Sequence, residues 1–494
     1  MQYFSTRNHN AKNRVSEAIL QGIAEDGGLY LPESFDAAQF PMERLTAMTP
    51  KEITVRVLSL LLGRDTVFCE DGSLEAAVAR AYDGQFDGED YAPLSKVGET
   101  YVMELYHGPT CAFKDVALRM LPQLLTEARR VENVTDEIVI LTATSGDTGS
   151  AALCGFSDVD GTRIAVFFPK NGVSAVQERQ MTSCTGKNTR VCAIEGNFDD
   201  AQSAVKTIFT SMPVAEGIRL SSANSINIGR LAPQVAYYFK AYGELLRNGE
   251  IRMGDKLDFI VPTGNFGDIL AGFFAMKMGL PVGRLVCASN ENDVLFDFFA
   301  RGVYDRNRDF RVTTSPSMDI LISSNLERLI AMTCGTQACA EYMKQLRETG
   351  RYTLKADELA RIREIFDAGK ADVSETAEVI RRVFREYGYL MDPHTAVAWH
   401  AYETTQKSGN KAVVLSTASA YKFAASVMDA LGEAYADDFD ALERLHAITR
   451  VPIPKALEHI REKEVLHDHT VKKDDIMKFV QAYIERKEAK PCLP

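Results

Sequence analysis

Leu257-Asp258-Phe259-Ile260-Val261-Pro262-Thr263-Gly264-Asn265-Phe266-Gly267-Asp268-Ile269 reads as a strand, a glycine-rich turn and the start of a helix. The run Leu257–Val261 has the composition of a strand, and apolar residues from Asp268 to Met278 have helical spacing. Between them, two glycines and an asparagine permit positive backbone angles, so successive N–H groups can turn inward around a phosphate. One such turn is weak evidence; what surrounds it decides.

The same pattern recurs along the chain. Short strand-like runs at Tyr101–Tyr106, Glu137–Thr142, Arg163–Phe168, Arg190–Ile194, Arg284–Ala288 and Ala412–Ser416 alternate with helical segments such as Asp199–Ser211 and Leu231–Leu246. Strand, helix, strand, repeated, predicts an α/β fold with open parallel sheets. Ligands then sit in the loops at the carboxyl ends of strands. Before this region, residues 1 to 95 read as a helix-rich unit, with helices over Val15–Ala24, stopping at Asp26-Gly27-Gly28, and over Lys51–Gly63. The tail reads as helical at Glu375–Tyr387, Thr395–Thr404 and Asp474–Glu488.

Composition narrows the function. A chain of 494 residues with 46% hydrophobic and 25% charged residues is ordinary globular protein, long enough for two or three domains. Its net charge of −12 argues against nucleic-acid binding, so any anionic ligand needs a local positive site. Nine cysteines without paired CxxC spacing, the closest being Cys334 and Cys339, argue for reduced thiols rather than a zinc site or disulfide framework; no metal is expected. The N-terminal Met1–Asn13 segment has no apolar core of a signal peptide, and no apolar run is long enough to span a membrane, so a cytoplasmic location is expected.

Two further loops carry chemistry. In Glu104-Leu105-Tyr106-His107-Gly108-Pro109-Thr110-Cys111-Ala112-Phe113-Lys114-Asp115 a strand ends in a turn and Lys114 opens a helical run. Most lysines are solvated, but Ala112, Phe113, Val116 and Ala117 surround this one, and desolvation makes a neutral, nucleophilic amine. In Thr142-Ala143-Thr144-Ser145-Gly146-Asp147-Thr148-Gly149-Ser150 small hydroxyl residues lead into an alanine-rich helix, whose N-terminus can bind a carboxylate or phosphate. A plain N-cap by Asp147 or Thr148 is the alternative, although it leaves the crowding of hydroxyls unexplained.

Together these loops resemble threonine synthases, pyridoxal phosphate (PLP) enzymes of the tryptophan-synthase-like fold. The resemblance runs nearly end to end, through Asp26-Gly27-Gly28-Leu29-Tyr30-Leu31-Pro32, Phe168-Pro169-Lys170, Gln177–Thr182, Ser225-Ile226-Asn227, Asp392–Val397 and Leu415–Ala418. It implies two open parallel-sheet α/β domains plus a helix-rich N-terminal domain: 1–95 at the N-terminus, 131–234 as the small domain, and 96–130 with 235–494 as the large PLP-binding domain. It implies Lys114 as the cofactor-binding lysine and proton shuttle. Gly264, Asn265, Phe266 and Gly267 would cradle the cofactor phosphate, Thr417 would hydrogen-bond the pyridine nitrogen, and Asp147 would lie near the phenolic oxygen. Thr144, Ser145 and Thr148 would hold the substrate carboxylate. The implied reaction converts O-phospho-L-homoserine and water to L-threonine and phosphate, a carbon–oxygen lyase reaction acting on phosphate. The leaving phosphate needs a second anion site, for which Lys170, Ser225, Asn227 and Arg230 are candidates; a surface ion pair is the alternative for Arg230. A monomer or homodimer is expected.

Two departures bear on the substrate side. Ala418-Ser419-Ala420-Tyr421-Lys422-Phe423 stands where many members carry His-Pro, and Gly229 stands where a bulkier residue is common. His107 reads as structural or as part of the site wall, and Asp392-Pro393-His394 as a helix cap. The rivals are another lyase or dehydratase of this fold and a catalytically silent PLP-binding relative. A nucleotide-binding reading fails for want of GxGxxG after a strand.

Overall fold

The computed structural model describes residues 1–35, 39–63, 72–212 and 215–485. Its centre is a six-stranded sheet in the order Phe366–Lys370, Val282–Ser289, Leu257–Pro262, Lys411–Ser416, Thr100–Glu104, Leu94–Val97. All neighbours are parallel except the last pair, which is an antiparallel hairpin. A second, fully parallel sheet runs His469–Lys472, Thr189–Glu195, Thr162–Pro169, Glu137–Ala143, Ile218–Ser221. Central strands such as Leu257–Pro262 and Thr162–Pro169 are buried at every position, as parallel strands covered on both faces must be. Each strand predicted from the sequence is present to within two residues at either end.

The structure also departs from the expectations, with strands such as Leu94–Val97, Ile218–Ser221 and Phe366–Lys370 that the sequence reading did not include. The N-terminal unit carries its own antiparallel sheet, Asn8–Arg14, Gln2–Ser5, Tyr30–Pro32, beside its helices Val15–Gln21 and Pro50–Leu62. Its middle member in sequence, Asn8-His9-Asn10-Ala11-Lys12-Asn13-Arg14, is a largely exposed edge strand and shows no apolar alternation. The tail is not purely helical either: His469–Lys472 pairs with Thr189–Glu195 and the helix Ile476–Ile484 packs behind it, so this part of the 235–494 group sits on the smaller sheet. A four-residue, mostly exposed strand leaves no periodic trace. Of the predicted helix Asp474–Glu488, residues 486–488 lie outside the described residues.

One helix joins the two sheets. Lys114–Val131 follows the strand Thr100–Glu104 and buries Leu118, Leu121, Leu124 and Leu125 completely, each contributing about 2 kcal/mol by removal from water. Against it lies the helix Asp147–Phe156 of the second sheet. Their contact is close at Gly155, where a Cβ would stand 2.1 Å from the Leu118 carbonyl oxygen. Only glycine permits that approach, and it packs the end of the helix Asp147–Phe156 against the second turn of the helix that Lys114 opens. Among the described residues no helix is long and apolar enough to cross a membrane.

Candidate active site

The strands Thr100–Glu104, Lys411–Ser416 and Leu257–Pro262 are adjacent and parallel, so the three loops that follow them leave the sheet at one edge. Those loops carry Lys114, Thr417 and the Gly264–Gly267 turn. The first two are tied together by the backbone. The Phe113 N–H donates to the Thr417 carbonyl at 2.8 Å, the Ser419 N–H to the Cys111 carbonyl at 3.1 Å, and Ala112 bridges to Ala418. The Asp115 carboxylate accepts from the Thr110 N–H and hydroxyl at 2.8 and 2.6 Å, which pins the turn before Lys114.

Lys114 opens its helix as a buried residue with 8% exposure. Its Nζ lies 3.2 Å from Asp147 Oδ2 and 3.1 Å from Ser317 Oγ. Burial draws its proton affinity below that of an ordinary lysine; the Lys422 and Arg230 cations act in the same sense, against the attraction of Asp147. Ser317 also meets the glycine-rich turn from the other side: a Cβ on Gly264 would stand 2.4 Å from the Ser317 carbonyl oxygen. The amine and the turn therefore share one neighbour.

Asp147 is the hub. Its Oδ1 receives Lys422 Nζ at 2.8 Å and Gln177 Nε2 at 3.0 Å, and its Oδ2 accepts from Ser317 Oγ at 3.1 Å as well as from Lys114. Burial opposes ionisation, yet Lys422 and then Lys114 hold this carboxyl well below the usual carboxylate range. Ser317 is itself held: its N–H donates to His394 Nε2 at 3.1 Å, and His394 Nδ1 lies 2.6 Å from Asp392 Oδ2. Because Nε2 accepts, the Nδ1 proton is the one given to Asp392. Asp392 also caps the helix Pro393–Thr404, whereas His394 faces the Ser317 turn instead of capping. His107 is taken up structurally, 2.8 Å from Glu104 Oε2 and 3.5 Å from Asp87 Oδ2.

At the glycine-rich turn, Phe266 adopts φ +59 and the helix Gly267–Lys277 begins with no side-chain hydrogen bond at its cap. The Asn265 carbonyl is used by the Asn325 N–H and Nδ2 at 3.1 and 2.9 Å, while its Oδ1 accepts from Ser324 Oγ at 3.3 Å. Ser225 Oγ lies 3.4 Å from that same Ser324 Oγ, beside the turn. Asp268 in the first helical turn accepts from the Tyr237 and Tyr238 hydroxyls, and burial pushes its carboxyl up to about 6. These residues fit a phosphorylated aldehyde: a buried amine of lowered proton affinity suits the carbonyl carbon, and an uncapped helix end at a glycine turn suits the phosphate. PLP is such a molecule.

The other candidates divide. Arg230 is buried at 3% exposure, its guanidinium bonds the Ala223 carbonyl, Nε has no partner, and no carboxylate pairs with it among the described residues. Burial alone pulls its proton affinity down to about 10. Ser145 and Thr148 are half-buried at the start of the helix Asp147–Phe156. Thr144 Oγ1 instead accepts from the Gly146 and Gly149 N–H groups at 3.0 and 2.9 Å and shapes the loop. Asn227 is also occupied, capping the short helix Ile228–Leu231 and donating to the Ile19 carbonyl at 2.9 Å. Lys170 is exposed after Thr162–Pro169 and lines a groove with Arg179, His467 and His469; Lys114, Asp147 and Ser317 are not in that lining. Sequence reasoning passed over Ser317, His394's orientation, Asp268, and Lys422, although Lys422 lies within the segment singled out as a departure.

Comparison with known proteins agrees with this geometry. A family described as pyridoxal-phosphate dependent enzyme matches residues 90–419, one described as threonine synthase N terminus matches 2–82, and one described as threonine synthase, C-terminal, matches 395–484. Threonine synthase of Pseudomonas aeruginosa is 39% identical over 460 residues, covering 90% of this chain and 95% of that protein. Threonine synthase of Schizosaccharomyces pombe is 35% identical over 88% of this chain and 90% of its own length. A crystal structure of PLP-bound threonine synthase from Brucella melitensis is similar at a TM-score of 0.87 and 36% identity, over 98% of this chain and 99% of that one.

Proposed function

Because the chain belongs to the threonine synthase family of PLP-dependent enzymes, we propose that it converts O-phospho-L-homoserine and water to L-threonine and phosphate, with Lys114 as its cofactor lysine. PLP, when bound, supplies an aldehyde that exchanges amines and a ring that withdraws electrons from the substrate's Cα. Lys114 holds the cofactor, and its freed Nζ takes the Cα proton and later returns one there. The Gly264–Gly267 turn holds the cofactor phosphate, and the Thr417 hydroxyl serves the ring nitrogen, where an alcohol hydrogen-bonds without giving up its proton. The N–H groups opening the helix Asp147–Phe156, with Ser145 and Thr148, hold the substrate carboxylate.

The observation that carries the substrate assignment is Arg230. A guanidinium buried without a counter-ion is costly unless an anion completes it. Its field reaches Lys114. It therefore provides the second anion site that a phosphate leaving group requires, and Ser225, whose hydroxyl meets Ser324 beside the cofactor turn, is the candidate hydroxyl on that side. Lys170 and Asn227 are not assigned to this role.

The test follows phosphate and threonine together on incubation with O-phospho-L-homoserine. Equal yields of the two support the assignment, and Lys114→Ala is expected to abolish both. Ammonia with a keto acid from threonine or serine, and no phosphate release, would transfer the chain to the dehydratases. Cofactor binding with neither reaction would make it a silent relative.

A further inference from the structure

The site contains a second buried lysine that the reaction as proposed does not use. Lys422 is completely buried, in the short helical turn Ala420–Phe423 after the strand Lys411–Ser416. Its ammonium lies 2.8 Å from Asp147 Oδ1 and 2.8 Å from the Thr110 carbonyl. Lys114 occupies the other oxygen of the same carboxylate at 3.2 Å. One carboxylate thus stands between two lysines, one of which must be an amine to act as a nucleophile.

We propose that Lys422 is a positioning residue that neutralises Asp147, so that Lys114 faces a charge-balanced pair and keeps a free amine. The idea rests on Lys114 being the cofactor lysine. Without Lys422, Asp147 would be a lone buried anion beside Lys114, and would hold it as an unreactive ammonium. With Lys422 in place, Asp147 still orients the amine through Oδ2, while its charge is already answered at Oδ1. The shorter of the two contacts is the one to Lys422, and Gln177 Nε2 at 3.0 Å fixes the same oxygen. Lys422 is further anchored by the Thr110 carbonyl, which belongs to the turn that positions Lys114. The charged groups that face this set are Arg230 and Asp268 toward Lys114, His394 toward Asp147, and Asp115 toward Lys422. None of these stands between Asp147 and Lys422.

The reading makes two predictions of opposite sign. Lys422→Met removes a cation, so the proton affinity at Lys114 rises; Asp147→Asn removes an anion, so it falls. The measurement is the pH dependence of imine formation when the full chain, stripped of cofactor, is mixed with PLP, together with the pH titration of the resulting imine absorbance. Neither readout requires turnover. Lys422→Met is expected to move both midpoints upward by about one unit or more, and Asp147→Asn to move them downward. Lys422→Arg, which keeps the charge, should stay near the wild type. Unmoved midpoints, or shifts in the same direction for both variants, overturn the proposal. If Lys422→Met does not fold, Lys422→Gln, which keeps a polar group beside Asp147 Oδ1 and the Thr110 carbonyl but removes the charge, decides by the same upward shift, and an unmoved midpoint in it overturns the proposal. The cofactor-lysine assignment is tested separately by borohydride trapping and peptide mapping of the wild type: a label elsewhere than Lys114 refutes that assignment, whereas a label on Lys114 with unmoved midpoints refutes only the role of Lys422.

Discussion

Replacing Arg230 with Met separates the energy of folding from the energy of binding at one position. Burial draws the guanidinium's proton affinity well below its ordinary value, down to about 10, which corresponds to about 3 kcal/mol of unfavourable charge burial at every pH below that value. Set against this is the hydrogen bond to the Ala223 carbonyl, a charge-assisted contact contributing about 1.5–3 kcal/mol. The two nearly cancel, and Met fills much of the same volume with apolar atoms. The substrate-free holoenzyme should therefore keep its stability to within about 1–2 kcal/mol, unlike most replacements of buried groups. Function should respond differently. Loss of a buried cation facing the substrate phosphate costs about 3–4 kcal/mol in kcat/KM, a drop of about 10²–10³-fold. The assay is denaturant unfolding of both holoenzymes with and without inorganic phosphate, beside steady-state kinetics. Phosphate at about a hundred times its Kd stabilises a binding protein by about 2.7 kcal/mol. The wild type should show that gain and the variant should not. A variant that unfolds far more easily yet retains the phosphate response would show that Arg230 is a structural cation and that the leaving group is held elsewhere.

Three other perturbations follow from the geometry. Gly264→Ala places a methyl group against the Ser317 carbonyl, at a cost of about 1–3 kcal/mol, and should weaken PLP binding more than it lowers the unfolding midpoint, as cofactor titration would reveal. Gly155→Ala drives a Cβ into the Leu118 carbonyl and pushes the helix carrying Asp147 away from Lys114; it should lower stability by a similar amount and move the imine pH midpoint, and an unchanged midpoint would mean that this helix contact does not set the site. Asp268 is a carboxylate whose folded-state affinity for protons is raised to about 6 from 3.8, so it costs stability as pH rises through that window, by about 3 kcal/mol when fully charged. Asp268→Asn should accordingly gain stability relative to the wild type between about pH 4 and pH 6 and hold that gain above it; a difference that stays flat with pH would locate the strain elsewhere.

How far the site was legible depends on the range over which each residue's role is set. The Gly264–Gly267 turn and the loop before Lys114 are local devices, a strand end, a turn and a helix start, and local signals are what periodicity and turn chemistry can read. The strand Asn8–Arg14 and the last strand His469–Lys472 lack such signals because they are short edges facing water. Ser317 lies 203 residues beyond Lys114 in a stretch with no pattern of its own, and becomes a neighbour only through the order in which the strands assemble. His394 was visible as a residue but not as a support, because its partner is a backbone N–H on a distant turn.

Lys422 shows where the local criterion stops. Apolar neighbours in sequence distinguished Lys114 from the solvated lysines, and Ala420, Tyr421, Phe423 and Ala424 enclose Lys422 just as thoroughly. Applied evenly, that criterion selects both lysines, and both are in fact buried. What separates them is placement around one carboxylate. Lys114 stands at the start of its helix, toward Ser317 and the glycine-rich turn; Lys422 lies behind, anchored to the Thr110 carbonyl. Desolvation pushes any buried lysine toward the neutral form, so burial alone cannot assign the nucleophile. The assignment requires an anion that one lysine already satisfies. A second lysine in this site is therefore not a spare nucleophile but the condition under which the first can be one.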